Sequence, residues 1–184
     1  MVANLQATIE DLYALPSEQK AEIVDGEIVL MSPTGAAPNY AAAEIFASLR
    51  EYSRRTKNGH PVTDNAAFRV DLPNRKSFSP DAAFYIGKWT GMKFFEGAPV
   101  FAVEVRSEGD YGPRAERAIT RKRGDYFAAG TLVVWDVDLL GEDVVKSYRS
   151  TDPNTPTIYQ RGDVATAEPA VPGWSMAVHD LFPE

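Results

Sequence analysis

The chain has 184 residues, 44% of them hydrophobic and 24% charged, with a formal net charge of −7. A single domain over 1–184 with a full hydrophobic core is expected, no apolar run reaches membrane-spanning length, and the acidic balance argues against nucleic-acid binding by bulk charge. With no cysteine, disulfides, thiol catalysis and cysteine-ligated zinc are excluded; the N-terminus lacks the basic-then-apolar layout of a secretory leader, so a cytoplasmic protein is expected.

Thr8 to Leu15 is predicted as a short helix, with Thr8 as its cap, Asp11 at the third helical position and Pro16 as its stop. Ala21 to Met31 reads as a hairpin, two β-branched runs joined at Asp25-Gly26. After a Pro/Gly loop from Ser32 to Pro38, a helix is predicted from about Asn39 to Lys57. Its stripe Ala41, Ile45, Leu49 and Tyr52 faces a core, and Asn58-Gly59 ends it. Val62 to Leu72 is predicted as one strand and Pro73 to Ser77 as a turn. Ser79-Pro80-Asp81 then opens a second apolar strand with a carboxylate at its mouth.

The Gly87 to Gly97 loop carries Trp89, Met92, Phe94 and Phe95, apolar enough for a packed lid or a contact surface, and a homodimer interface is expected there. Pro99 to Ser107 is the central strand, apolar on both faces through its middle, as when helices cover both sides. A helix follows from about Arg114 to Ala129, closed by Gly130. Thr131 to Val137 is another buried strand, Val144 to Arg149 and Thr157 to Gln160 are edge strands, and the remainder through Phe182 packs its aromatics.

Glu104 lies in the middle of the central strand, where an ionised carboxylate is costly unless it is paired, hydrogen-bonded or bound to a metal. The plainest partner is Arg106, two residues along the same face. In the helix that follows, a repeat of about 3.6 residues turns Ala115, Ala118, Ile119, Lys122, Tyr126 and Ala129 inward and Arg114, Arg117 and Arg121 outward. A lysine on a buried stripe either snorkels outward or meets buried carboxylates. In an open α/β sheet Asp81, Glu104 and Lys122 would gather in one crevice. Two carboxylates and a lysine suit metal-assisted phosphodiester hydrolysis.

His60 and His179 lie far apart, so a metal would be held by oxygen and be magnesium-like. Arg106 cannot shed its proton, which leaves it a supporting cation or the partner of Glu104. Glu22 and Glu44 are weaker candidates for the metal site, more in keeping with surface or structural roles. The basic runs around Arg50 to Lys57 and Arg114 to Arg123 are solvated faces when each is taken alone.

Ser79-Pro80-Asp81 followed by Val103-Glu104-Val105-Arg106-Ser107 resembles the PD-(D/E)xK signature of restriction-endonuclease-like nucleases. Together with Ala21 to Pro33, Lys122-x-x-x-Tyr126-x-x-x-Gly130 and Val133-Val134-Trp135-Asp136, the ordered set is similar to the Uma2 family and spans nearly the whole chain. The resemblance implies an α/β, restriction-endonuclease-like fold: a mixed β-sheet flanked by helices, with an N-terminal helix and β-hairpin. It implies Asp81, Glu104 and the Val105 carbonyl as ligands of Mg²⁺ or Mn²⁺, Lys122 as a catalytic lysine moved onto the helix, and nucleic acid, DNA in particular, as substrate. The chain departs from the family where Asn39-Tyr40 stand in place of a common histidine, and where Ala118 stands one turn before the lysine in place of an aspartate. The rival is a non-catalytic module that keeps the fold and binds nucleic acid or a protein, which the acidic balance and the apolar loop would suit.

Overall fold

The computed structural model describes residues 6–16 and 19–183. Helix α1 (Ile9–Tyr13) begins in a capping box, with Thr8 Oγ1 accepting from the Asp11 N–H at 3.3 Å and Asp11 Oδ2 accepting from the Thr8 N–H at 2.8 Å. Strands β1 (Ala21–Val24) and β2 (Glu27–Leu30) form the expected hairpin, and Asp25 and Gly26 take φ values of 52° and 80° to close its two-residue turn. Helix α2 (Ala36–Thr56) starts ahead of the predicted Asn39, because Pro38 falls in its first turn, where a missing N–H costs nothing. It buries the anticipated stripe of Ala41, Ile45, Leu49 and Tyr52.

The single strand expected over Val62 to Leu72 is two, β3 (His60–Thr63) and β4 (Phe68–Leu72), in different sheets. The chain turns between them at Asp64-Asn65, where Asn65 takes a left-handed φ of 63°. Strand β5 (Arg75–Phe78) occupies most of the predicted turn. Next come β6 (Ala82–Tyr85), the short β7 (Phe95–Glu96), β8 (Phe101–Val105), α3 (Pro113–Ala128) and β9 (Val133–Val137). Strands β10 (Val145–Arg149), β11 (Asp152–Tyr159), β12 (Val164–Thr166) and β13 (Ser175–Ala177) complete the order, with a 3₁₀ turn at Val178–Leu181.

The six-stranded sheet runs β11-β10-β9-β8-β6-β3, and only its β8–β9 pair is parallel, joined by the α3 crossover. The five-stranded sheet runs β2-β1-β5-β4-β7. On one face of β8, Phe101, Val103 and Val105 pack with Ile45 and Leu49 of α2 and with Trp135 and Trp174. On the other, Ala102 packs with Ala83, Val134, Tyr126 of α3 and Phe78 of the second sheet. The architecture is therefore the expected one, mixed sheets flanked by helices, and the strand period leaves Glu104 on the side of α3.

The Gly87–Gly97 loop is divided. Phe94 stacks on Tyr13 at 3.9 Å and Phe95 on Phe68 at 4.9 Å, whereas Trp89 is 66% exposed and Met92 fully so. The second half of the loop returns to the second sheet, where Phe94 packs beside Ala21 and Ile23 and the Phe95 N–H donates to the Ala67 carbonyl at 2.9 Å. Among the described residues no helix is long and apolar enough to cross a membrane.

Candidate active site

The register of the antiparallel β6–β8 pair sets Ala82 opposite Val103. Asp81, just before β6, is thereby fastened on both sides of Glu104. Its N–H donates to the Val103 carbonyl at 3.0 Å, and its Oδ2 accepts from the Val105 N–H at 2.8 Å. Two apolar strands thus fix the relative height of two carboxylates. One turn apart on α3, Lys122 and Tyr126 present the same face to this pair. Lys122 Nζ donates to Glu104 Oε2 at 2.8 Å and Tyr126 OH to Glu104 Oε1 at 2.6 Å.

Glu22, only 3% exposed on β1, joins the cluster from the second sheet. Its Oε1 lies 2.9 Å from Lys122 Nζ and accepts from the Ser79 N–H at 2.8 Å, while Arg75 Nη1 reaches Oε2 at 2.5 Å. The same Arg75 binds Asp125 of α3 through Nε at 2.9 Å. Glu22 is thus a buried member of the site, while Glu44 is half-buried on α2 and forms no ion pair among the described residues.

Lys20, for which the sequence reading made no case, donates from Nζ to Asp81 Oδ1 at 3.1 Å and also pairs with Asp64. The strand period places Lys20 on the same face as Glu22, the one signal that pointed to it.

Of the predicted α3 stripe, Lys122 and Tyr126 face the crevice, but Ala118 is exposed. Arg123 and Asp125 are buried in its stead, Arg123 lying 3.7 Å from the Tyr148 ring centroid. Arg106 does not pair with Glu104. Its Nε and Nη2 bind Asp136 at 2.7 Å each, and its two Nη atoms also hold Glu116 of α3. Four of the five N–H donors of the guanidinium are engaged in that tie between β8, β9 and α3. Of the basic side chains on the outer face of α3, Arg114 and Arg117 are exposed, while Arg121 pairs with Asp25.

Charge is concentrated in the crevice. Burial pushes Glu104 up to about 7; Lys122 pulls the other way, and the Asp81 and Glu22 carboxylates add to the rise. Burial opposes the charge on Lys122, but Glu104 and Glu22 outweigh it and hold its pKa well above the usual lysine range. Glu22 is lowered, because Lys122 and Arg75 together overcome its burial. Lys20 is raised, its burial overcome first by Asp81 and then by Asp64. Five carboxylates (Glu22, Asp64, Asp81, Glu104, Asp125) meet three cations (Lys20, Arg75, Lys122), a formal surplus of two negative charges.

Among the described residues no three acidic or imidazole side chains are grouped as a complete metal cage. The donor set still fits a hard divalent cation that takes one or two carboxylates and keeps much of its own water. Asp81, Glu104 and the adjacent Val105 main chain offer only oxygen, and the charge surplus equals what one such ion carries. Beside Glu104, a cavity of about 40 Å³ bounded by Ile119, Lys122, Tyr126 and Val134 has room for water.

No curated protein matches the chain in sequence. The profile of the Uma2 family, described as a putative restriction endonuclease, matches residues 9–179. Among solved structures, a putative nuclease from Anabaena variabilis superimposes with a TM-score of 0.74, covering 96% of this chain and 97% of that chain at 17% sequence identity. At that identity the likeness is one of fold.

Proposed function

Because this chain belongs to the Uma2 family of putative restriction endonucleases, we propose that it is a cytoplasmic, divalent-metal-dependent nuclease that hydrolyses phosphodiester bonds in DNA. One observation carries this reading: Asp81 is bonded to β8 on both sides of Glu104, while Lys122 reaches Glu104 from α3. Asp81, Glu104 and the Val105 carbonyl would hold Mg²⁺ or Mn²⁺. Bound there, the ion would supply positive charge to offset the charge that develops on the phosphate oxygens.

Lys122 stays protonated in its carboxylate surroundings, so its part is to orient the attacking water and offset phosphate charge rather than to act as a base. The water oxygen bonds to phosphorus, one ester P–O bond breaks, and a water proton ends on the departing oxygen. The products are a phosphomonoester and a free hydroxyl. Tyr126 holds the second oxygen of Glu104 in place. Arg106 acts by position, tying β8 and β9 to the first turns of α3 and so setting where Lys122 stands. Arg114 and Arg117, exposed on the outer face of α3, would supply charge for the nucleic-acid backbone. Cutting both strands of a duplex calls for two sites or two successive events, and a homodimer would provide the two sites.

Calorimetric titration with Mn²⁺ tests this assignment against a fold-only binding module. The native chain should bind one ion and Asp81→Ala should not. No metal heat from the native chain would favour the non-catalytic module.

A further inference from the structure

Two lysines, not one, meet the carboxylate pair, and they are held very differently. Lys122 is pinned between Glu104 and Glu22, and the Glu22 side chain is 3% exposed and itself locked by Arg75 and the Ser79 N–H. Lys20 approaches from β1. Its side chain is as shielded as that of Lys122, 16% against 18% exposed, but its second partner, Asp64, sits in the β3–β4 turn with 40% of its side chain in water, where Glu22 has 3%. An ion pair with so exposed a partner is weak. Lys20 is thus the cation that an incoming anion can draw away, whereas Lys122 is fixed.

Asp81 Oδ2 accepts from the Val105 N–H and Oδ1 from Lys20, so a cation drawn to Asp81 would compete with the Lys20 ammonium for this carboxylate. An ion held there would release the Lys20 ammonium from Asp81 and leave it, still charged and still beside Asp64, at the edge of the crevice.

Resting on the nuclease reading above, we propose that Lys20 is a second catalytic cation: it guards Asp81 Oδ1 until the metal binds, then places its charge on a non-bridging oxygen of the scissile phosphate. It transfers no proton. Its contribution is electrostatic stabilisation of the charge that builds on phosphorus-bound oxygen. The two roles predict opposite effects of one substitution. Removing the ammonium takes away a competitor for the metal and a partner for the phosphate together.

The test compares Lys20→Met, Lys20→Arg and the native chain by Mn²⁺ calorimetry and by single-turnover cleavage at saturating Mn²⁺, with thermal melts to confirm folding. Lys20→Met should bind Mn²⁺ about 10-fold more tightly, the scale of one unit charge removed beside the ion. It should also cleave about 10²-fold more slowly, the scale of one lost transition-state donor. Lys20→Arg keeps the charge and should stay within about tenfold of native cleavage, which keeps the question answerable if Lys20→Met folds poorly. Weaker Mn²⁺ binding by a folded Lys20→Met would make Lys20 a structural tie and overturn the proposal, as would tighter binding with native cleavage, which makes it a competitor alone. A native chain that binds Mn²⁺ and cleaves while Lys20→Arg is inert also overturns it. If the native chain neither binds Mn²⁺ nor cleaves, the nuclease reading falls and this proposal with it.

Discussion

Glu104 and Lys122 meet at 2.8 Å across two different elements, a buried strand and the helix that crosses over it. Lys122 also satisfies Glu22, so a single ammonium joins the two sheets at the crevice. Lys122→Met should therefore cost stability as well as activity. Removing one partner of a buried pair costs about 3–5 kcal/mol, and the loss here should fall at the low end, since Arg75 still holds Glu22 and Glu104 can take up a proton. Cleavage should fall at least about 10²-fold, with Mn²⁺ bound at least as tightly as by the native chain, since a unit charge beside Glu104 is removed. Melting curves and single-turnover rates check both. A stable, fully active Lys122→Met would remove Lys122 from the mechanism.

The raised pKa of Glu104 gives a pH signature. A carboxyl that titrates at about 7 when folded and near 4.5 otherwise binds its proton more tightly in the folded chain. Its contribution is complete below pH 4.5 and is lost as the pH rises through about 7, on the order of 3 kcal/mol in all. In chelator, the native chain should lose stability across that window, and Glu104→Gln should not. Near pH 8 the variant should be the more stable of the two. Identical pH profiles for the two chains would contradict the electrostatic description of the crevice.

Metal should reverse that order. A ligand at a hundred times its dissociation constant stabilises by about 2.7 kcal/mol, and in a domain of this size each kcal/mol raises Tm by roughly 2–4 °C. Excess Mg²⁺ or Mn²⁺ should raise the native Tm by that amount and leave Glu104→Gln nearly unmoved. Equal shifts in both would place the ion elsewhere.

Arg106 is predicted to matter for folding more than for chemistry. Its partner Asp136 is 4% exposed, so Arg106→Met should strand a buried carboxylate and cost about 3–5 kcal/mol. Adding Asp136→Leu should recover most of the stability, because an apolar pair can replace a buried ion pair. Cleavage by the paired variant should exceed that of Lys122→Met. The reverse ranking would return Arg106 to the phosphate.

Local signals and long-range ones differed in how well they could be read. The Asp25-Gly26 turn, the Thr8 capping box and the apolar stripe of α2 depend on neighbours a few residues away, and each formed as its chemistry dictates. Asp81, Glu104 and Lys122 were legible because each breaks the pattern of its own element, a charge where an apolar residue belongs. Lys20 and Arg75 were not, and Glu22 stood out only as a weaker candidate. Lys20 reaches Asp81 across 61 residues and Arg75 meets Glu22 across 53 through the β1–β5 pair, while Glu22 reaches Lys122 only when the second sheet packs on α3. The β3–β4 break was hidden because Asp64-Asn65 sits in a run whose flanks both read as strand. Ala118 was placed inward by periodicity, but only the later turns of α3 lie against the sheet, so its position in the repeat has nothing to face.

Plasmid cleavage by the native chain beside Asp81→Ala, each with Mg²⁺, with Mn²⁺ and with chelator, tests the central claim most directly. The native chain should nick or linearise the plasmid with either ion and stop in chelator, while a folded Asp81→Ala remains inert throughout. Cleavage that persists in chelator, or that survives Asp81→Ala, would contradict a metal-dependent nuclease built on Asp81 and Glu104.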